Sequence, residues 1–281
     1  MPIYDQGYRR YVARSPLQAA RFWPITREAL RMILSKRAFL ALVAVSFLPF
    51  VVRVIQIYIV TRFPEAGRLL PVDGRLFGEF LNQQIGFTIL LSIFGASGLV
   101  ANDLRTGAIL VYLSRPLTQR DYIAGKLAVP LALNLLVTLV PGLLLYLAGL
   151  LLAPEKYLKW SLAWIAPAIV AHALAASLVV GLLALAISSL SKSARFAGLA
   201  FVGLFFGLET VRLVLQSGFN RKEAVLLSLQ SDLHSLGVAL FGVVDPQLDV
   251  AWVWPVLVLA AVSAGCLAIL RARVRAVEIV T

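Results

Sequence analysis

Side chains that could do catalytic chemistry are sparse and scattered in this sequence. The two histidines, His172 and His234, lie far apart along the chain, and the single cysteine, Cys266, sits inside an apolar run. No HExxH motif, paired carboxylates or GxSxG motif accompanies them, which argues against zinc-dependent and serine-dependent hydrolysis. Gly125-Lys126 lacks the upstream glycine and the following hydroxyl residue of a phosphate-binding loop. We therefore expect that the chain is not an enzyme by itself and holds no metal or cofactor.

A second group of polar residues lies within apolar runs, where such residues are costly and often functional. We take Arg53, Asn134, His172, Glu209 and Arg212 as candidates for a translocation path or for intramembrane polar contacts. Each has a simpler alternative. Glu209 and Arg212, three residues apart, could form a structural ion pair. Arg53 could extend to the headgroups, and Asn134 and His172 could hydrogen-bond to neighbouring helices.

The polar stretch with the most regular pattern of residue types runs from Asn102 to Lys126, between two apolar runs. Asn102 or Asp103 can cap a short helix that ends near Ser114, and Thr118 with Asp121 forms the capping pair of the next helix. Helical spacing places one apolar face on the first helix, formed by Leu104, Gly107, Ala108, Val111 and Tyr112. Pro116 separates the two helices, with Arg115 and Arg120 nearby. This segment could act as a lever on two spans, or it could be an ordinary basic loop.

The elements that position these residues are membrane spans. The chain is 60% hydrophobic over 281 residues, and its apolar runs are continuous, as in an all-α membrane protein. We predict a single transmembrane domain, 1–281, that begins with a tail and interfacial helix at 1–38. Its six spans are predicted at about 39–60, 85–101, 123–153, 160–189, 196–217 and 254–270.

Charge distribution indicates the orientation. With both termini inside, the inner segments hold 17 of the 26 lysines and arginines, as the positive-inside rule requires. The net charge of +12 is then explained by topology and anionic lipid, and we expect no nucleic-acid partner. Residues 24–38 read as a basic amphipathic helix in the inner interface, or as an extension of the first span. Within the external segment Ser217–Asp249, residues 222–244 are too polar to cross the membrane and too apolar to stay in water, and they predict one or two short helices in the outer leaflet.

The stretch Asn102–Val129 resembles the signature region of ABC-2 type transporter permeases, the six-span subunits of bacterial ABC exporters. Asp103 matches the acidic residue after span two, and Gly107-Ala108-Ile109 matches the family's Gly-Thr-Leu-like turn, with Ala108 in place of the usual Thr. Pro116 with Arg120 matches a Pro and nearby Arg, and Gly125-Lys126 matches the Gly-Lys that opens span three. Ile187–Gly198 is similar to the polar turn between spans four and five.

The resemblance implies a homodimeric permease in the bacterial cytoplasmic membrane, seated on two copies of a separate ATPase that bind ATP and Mg. The Asn102–Ser114 helix would then be the coupling helix, and its ATPase-coupling residues would be Asp103, Leu104, Gly107, Ala108, Val111, Tyr112, Arg115, Pro116 and Arg120. Two alternatives stay open. The complex could transmit motion to an external, periplasmic partner, or the chain could be a channel or scaffold that needs no ATPase. The substrate is not predicted.

Overall fold

The computed structural model of the chain describes residues 22–63, 65, 67, 72–113, 117–152, 163–219, 222–243 and 251–274. Within these ranges the chain forms helices and turns, and no described residue lies in a strand. The helices are α1 (Trp23–Leu34), α2 (Arg37–Ser46), α3 (Leu48–Arg62), α4 (Gly74–Gly95), α5 (Ala101–Thr106), α6 (Ala108–Leu113), α7 (Gln119–Leu152), α8 (Ile165–Leu190), α9 (Ala194–Phe219), α10 (Leu229–Leu240) and α11 (Val253–Arg273). A 3₁₀ helix, Lys222–Leu227, precedes α10.

Five helical units in the described part are long and apolar enough to cross a membrane. They are α2 with α3, taken together as Arg37–Arg62, and then α7, α8, α9 and α11. The helix of the first unit is interrupted at Phe47, and Pro49 is the second residue of α3. For the described residues this confirms an all-helical chain with several helices that could span a membrane, and the count of six spans stays a prediction.

The second predicted span, 85–101, is placed differently by the structure. The helix here, α4, begins at Gly74 and ends at Gly95, so the prediction missed its first three turns. Asn82, Gln83 and Gln84 lie in that part, and their polarity hid the start of the helix from a search for apolar runs. Residues 96–100 form turns rather than the end of a span.

Helix α8 lies at the centre of the described bundle and packs against α4, α7, α9 and α11. Small residues permit the closest approaches between these helices. A Cβ on Gly142 of α7 would lie 2.9 Å from Ile169 of α8, and a Cβ on Gly181 would lie 3.4 Å from Pro130 of α7. Such contacts let helices pack where apolar area alone gives no preference, because lipid is equally apolar.

Two helices of twelve residues each, α1 and α10, pack against the long helices near opposite ends of this bundle. Helix α1 buries Ile25, Ala29 and Ile33 and packs on α7. Its exposed residues include Arg27 and Arg31, so one face is apolar and the other basic. At the other end, α10 packs against α4, α8, α9 and α11. Whether these helices lie at a membrane surface stays a prediction.

Candidate functional site

The polar segment after α4 is fixed first by the end of α8. The buried hydroxyl of Ser188 accepts hydrogen bonds from the backbone N–H groups of Val100 (3.2 Å) and Ala101 (3.0 Å). It also donates to the carbonyl of Ser97 at 2.7 Å. These N–H groups lie at the start of α5, where backbone donors have no helical partner. One serine therefore fastens the start of α5 to α8.

The segment forms two short helices, which corrects the prediction of one helix from Asn102 to Ser114. Helix α5 ends at Thr106, and Gly107 adopts φ 71°, ψ 10° before α6 begins at Ala108. This left-handed conformation is a common helix terminator and is costly for residues with a Cβ. The sequence pattern placed Gly107 on a continuous helical face, but the glycine interrupts that helix.

An ion pair joins α5 to the beginning of α7. The ammonium of Lys126 donates to Asp103 Oδ2 at 2.6 Å, and the two side chains are only 7% and 14% exposed. The hydroxyl of Tyr122, one turn earlier on α7, donates to the same oxygen at 2.7 Å. Two donors therefore satisfy one carboxylate oxygen within an enclosed site. Buried charges require such partners, since an unpaired charge would lose its hydration without compensation.

Helix α6 joins the same group through Tyr112. Its ring lies 5.6 Å from the ring of Tyr122, with the two planes tilted by 51°. The ammonium of Lys126 lies 5.7 Å from the Tyr112 ring and 5.6 Å from the Tyr122 ring, within cation–π range. We call Asp103, Tyr112, Tyr122 and Lys126 the anchor cluster. It ties α5 and α6 to α7 by charge, hydrogen bonding and ring contact.

Helix α1 is attached to the same turn of α7. Thr26 donates through its hydroxyl to the carbonyl of Gly125 at 2.9 Å. A Cβ on Gly125 would lie 3.0 Å from the carbonyl oxygen of Phe22 and 3.2 Å from Ile25, so only glycine allows this approach. The Gly-Lys pair therefore has two structural roles, close packing at Gly125 and charge pairing at Lys126.

The predicted apolar face of the segment is partly used inside the chain. Leu104 and Tyr112 are half-buried and pack against the core, and Ile109, which was named in the family match but not in the apolar face, is buried. The exposed residues of α5 are Asn102, Arg105 and Thr106. Ala108 is half-buried and Arg120 is exposed. Arg115 and Pro116 lie outside the described residues, and the side chain of Val111 is likewise outside them.

The anchor cluster contains two residues that sequence reasoning did not place in the site. Lys126 was noted only as part of a Gly-Lys match, and Tyr122 was not noted. Their spacing of four residues places both side chains on one face of α7, which was the available signal. Their shared partner, Asp103, lies nineteen residues before Tyr122, and no spacing rule reveals that contact.

The candidate polar residues within the spans are mostly paired with protein groups. Arg53 is 13% exposed and bonds to Gln56 and to Glu79 of α4, at 3.0 and 3.2 Å, rather than extending freely to headgroups. Asn134 exchanges hydrogen bonds with Ser92 of α4, the nearer at 3.2 Å. These contacts join neighbouring helices and do not bring the candidates together into one path.

Glu209 and Arg212 form the expected ion pair on α9, at 2.6 Å. The two side chains also make hydrogen bonds that their spacing does not predict. Arg212 donates to Gln216, and Glu209 accepts from the hydroxyls of Ser228 and Ser231. Ser228 is the N-cap of α10, so this carboxylate helps to hold the start of that helix. His172 bonds through Nε2 to the carbonyl of Leu233, also on α10.

Metal chemistry finds no support in the described part of the chain, where no group of three or more His, Cys, Asp or Glu side chains could hold an ion. Comparison with known proteins adds no assignment. The chain matches no known protein-family model and no curated protein sequence. The site is a pair of short helices, α5 and α6, that are fastened to the long helices α7 and α8.

Proposed function

We propose that this chain is the membrane-spanning subunit of an ABC-2 type, ATP-driven transporter, an exporter in which α5 and α6 transmit the motion of a separate ATPase. The observation that carries the proposal is the anchor cluster, which connects these two short helices to α7 in an enclosed, charged contact. A loop that merely linked two spans would not need a buried ion pair. The resemblance of Asn102–Val129 to the family's signature region supports the same assignment.

The path of force follows from the contacts. A push on α5 reaches α7 through Asp103 and Lys126, and it reaches α8 through the hydroxyl of Ser188. A push on α6 reaches α7 through Tyr112 and Tyr122. Closely packed helices shift as units between discrete arrangements, so displacement of the segment biases the arrangement of the spans. ATP and Mg would be bound by the ATPase, two copies of which would serve a dimer of this chain.

The surface offered to the ATPase differs from the apolar face that the sequence predicted. Leu104 and Tyr112 turn partly inward, and the exposed face of α5 carries Asn102, Arg105 and Thr106. Such a face suits a polar groove that presents carboxylates to Arg105. We therefore take Arg105 as the principal contact residue and assign Leu104 and Tyr112 to attachment within the chain.

The electrostatics of this end of the bundle support a cytoplasmic location. Lysines and arginines outnumber acids there among the described residues, and the cations are Arg27, Arg31, Lys36, Arg37, Arg105, Arg120, Lys126, Lys192, Arg195, Arg271 and Arg273. The acids are Glu28, Asp103 and Asp121. Positive charge beside span ends marks the inner side, where it also meets anionic lipid. The proposed place is the bacterial inner membrane, with both termini inside.

The proposed homodimer can use the outer face of α9. Gly203 and Gly207 lie one turn apart, and a Cβ on either would have no described atom within 4 Å. Large apolar side chains beside them, such as Phe206, are exposed in the single chain. A second copy or lipid can cover this face, and small residues would let a second helix approach closely.

Co-purification tests the proposal. The tagged chain is extracted from its native membrane in mild detergent, and the proteins that accompany it are identified by mass spectrometry. We expect a stoichiometric ATPase with wild type, and its loss with Arg105→Glu, because the reversed charge would face the carboxylates of the groove. The matched control is Arg62→Glu, a charge reversal at the opposite end of the bundle, which should retain the ATPase. Intact wild-type chain that elutes without an ATPase in several detergents would contradict the proposal.

A further inference from the structure

Three helices that pack together carry unsatisfied hydrogen-bond acceptors at the end of the bundle opposite the anchor cluster. Asn82 Oδ1, His172 Nδ1 and both carboxylate oxygens of Asp232 are buried and have no hydrogen-bond partner among the described residues. These side chains lie on α4, α8 and α10, three helices that pack against one another. Asp232 is 0% exposed and His172 is 2% exposed. Buried polar atoms without partners are uncommon, and each one requires a physical explanation.

Contacts around Phe241 place the side chains of Asn82, His172 and Asp232 at a similar position along the bundle axis. His172 bonds through Nε2 to the carbonyl of Leu233, the residue after Asp232, at 3.1 Å. Its ring also lies 6.3 Å from the ring of Phe241. Phe241 in turn packs on Gly78 of α4, where a Cβ would lie 3.4 Å from its ring. Asn82 is one turn further along the same face of α4.

The four unpartnered atoms named above are all acceptors when Asp232 is ionised. A carbonyl only accepts, so His172 must carry its hydrogen on Nε2, and Nδ1 of the neutral ring is then an acceptor. Asn82 contributes a second acceptor through Oδ1, and an ionised Asp232 contributes only further acceptors. A proton on the Asp232 carboxyl turns one of these acceptors into a donor.

The energetics favour the same protonation state. A buried carboxylate without partners costs several kcal/mol. Asp232 lies in the first turn of α10, where the helix dipole would stabilise its charge by only about 1 kcal/mol. Desolvation therefore dominates, and burial raises the pKa of Asp232 to about 8.

A proton also fits the available space better than a metal ion. Helices α8 and α10 approach closely, since a Cβ on Gly237 would lie 3.3 Å from Nε2 of His172. The described residues include no set of three metal-ligating side chains at this place. A hydrated cation would need both room and more ligands.

Several other titratable groups lie on α10 and on the elements around it. They are Arg75 and Glu79 on α4, His172 on α8, Arg195, Glu209 and Arg212 on α9, Lys222 and Glu223 on the 3₁₀ helix, Cys266, Arg271 and Arg273 on α11, and His234 on α10 itself. Glu79 is paired with Arg53 and Arg75, and Glu209 is paired with Arg212. Both carboxylate oxygens of Asp232 lack a hydrogen-bond partner among the described side chains, which do not include that of Lys222.

We propose that Asp232 is a reversible proton-binding site that holds α10 against α4 and α8 while it is protonated and releases α10 when the proton leaves. On release, the O–H bond of the carboxyl breaks, the proton passes to water, and the carboxylate must be hydrated, which requires α10 to move. The site is separate from the anchor cluster and does not depend on an ATPase. It would make one end of the bundle responsive to pH.

The direction of the pH effect follows from linkage. Because the pKa of Asp232 is raised in the packed state above its ordinary value, the packed state binds more protons than the open state between these two values. Packing of α10 is therefore most favourable below the ordinary pKa of an aspartate, and it weakens as pH rises through about 8. Between the two values each pH unit lowers the advantage of the packed state about tenfold, and above about pH 8 the effect levels off.

Hydrogen exchange of the backbone amides of Leu229–Leu240 in the purified full-length chain tests the proposal. After correction for the intrinsic pH dependence of exchange, we expect wild-type protection to fall about tenfold between pH 6 and pH 7 and to level off above about pH 9. Asp232→Asn keeps the shape of the side chain without an ionisable group, so its protection should stay level. The control is Asp73→Asn, at an exposed N-cap of α4, which should behave as wild type. Equal pH profiles for wild type and Asp232→Asn would overturn the proposal.

Infrared spectroscopy gives a second measurement that needs no stable variant. A protonated, buried carboxyl has a carbonyl stretch distinct from that of a carboxylate. The wild-type chain at pH 6 should show this band, and the band should be lost on titration to pH 10. Its absence at pH 6, under conditions where the chain is folded, would equally overturn the proposal.

Discussion

Replacing Lys126 by methionine tests the energetic basis of the anchor cluster. The change keeps a side chain of similar length but leaves the carboxylate of Asp103, 14% exposed, with Tyr122 as its remaining donor in the cluster. Removal of one partner of a buried ion pair costs about 3 to 5 kcal/mol. Since this pair keeps a little solvent contact, we expect the lower value, about 3 kcal/mol. That loss changes the unfolding equilibrium roughly a hundredfold.

A double-mutant cycle separates the ion pair from general damage to packing. Asp103→Asn alone should also cost about 3 kcal/mol, because it leaves the Lys126 ammonium without its anion. The double variant has no uncompensated charge, so we expect it to lose only about 2 kcal/mol and to be more stable than the sum of the single changes predicts. The assay is reversible unfolding in mixed detergent and denaturant, followed by circular dichroism.

An exposed ion pair provides the control for this cycle. Arg75 and Glu79 form a pair at 3.1 Å on α4, with side chains 63% and 45% exposed. Arg75→Met should cost less than about 1 kcal/mol because solvent already screens that pair. A cost below about 1 kcal/mol for Lys126→Met, or a double variant that loses the full sum of the two single changes, would refute our interpretation of the anchor cluster.

Further predictions concern Gly107, which separates α5 from α6, and Ser188, which attaches the start of α5 to α8. Gly107→Ala should destabilise the chain by about 1 to 2 kcal/mol, because a Cβ is strained at φ 71° although space is available, whereas Gly265→Ala on α11 should be neutral or slightly stabilising. A thermal melt of each variant checks this, and equal midpoints would contradict it. Ser188→Ala should cost about 2 kcal/mol, since it leaves two buried N–H groups at the start of α5 without their acceptor. The neighbouring buried Ser189, which bonds only within its own helix in the described contacts, is the control, and its alanine variant should cost less than half as much. Comparable losses for the two serines, measured by the same melts, would show that the attachment to α8 contributes little.

Long apolar helices could be predicted from this sequence because their signal is local. The predicted spans 123–153 and 196–217 coincide closely with α7 and α9, whose apolar runs contain few charged residues, Lys126 near the start of α7 and the Glu209–Arg212 pair in α9. The prediction was wrong at α4, where Asn82 to Gln84 break the apolar run although the helix continues through them. Tertiary contacts satisfy part of this polarity, as Gln84 donates to the backbone carbonyl of Ser46.

The anchor cluster could be predicted only in part. The acidic residue, the Gly-Lys pair and the capping Thr118 with Asp121 were all recognisable, and the structure confirms that capping pair, with Thr118 donating to Asp121 Oδ2 at 2.8 Å. The pairing of Asp103 with Lys126 was not recognisable, because it depends on how the chain turns between α6 and α7. Helical periodicity also suggested that Leu104 and Tyr112 faced outward, since the pattern identifies an apolar face but not what covers it.

Site-specific cross-linking at position 105 tests the central claim most directly. A photoreactive amino acid replaces Arg105, an exposed residue of α5, in cells that carry the chain in its native membrane. The cross-linked peptides are then identified by mass spectrometry. The same residue at position 62 marks the opposite end of the bundle. We predict a cross-link from position 105, and not from position 62, to a cytoplasmic ATPase that carries a phosphate-binding loop. Cross-links from position 105 to lipid or to this chain alone, with the protein intact and folded, would contradict the proposal that α5 and α6 transmit the motion of an ATPase.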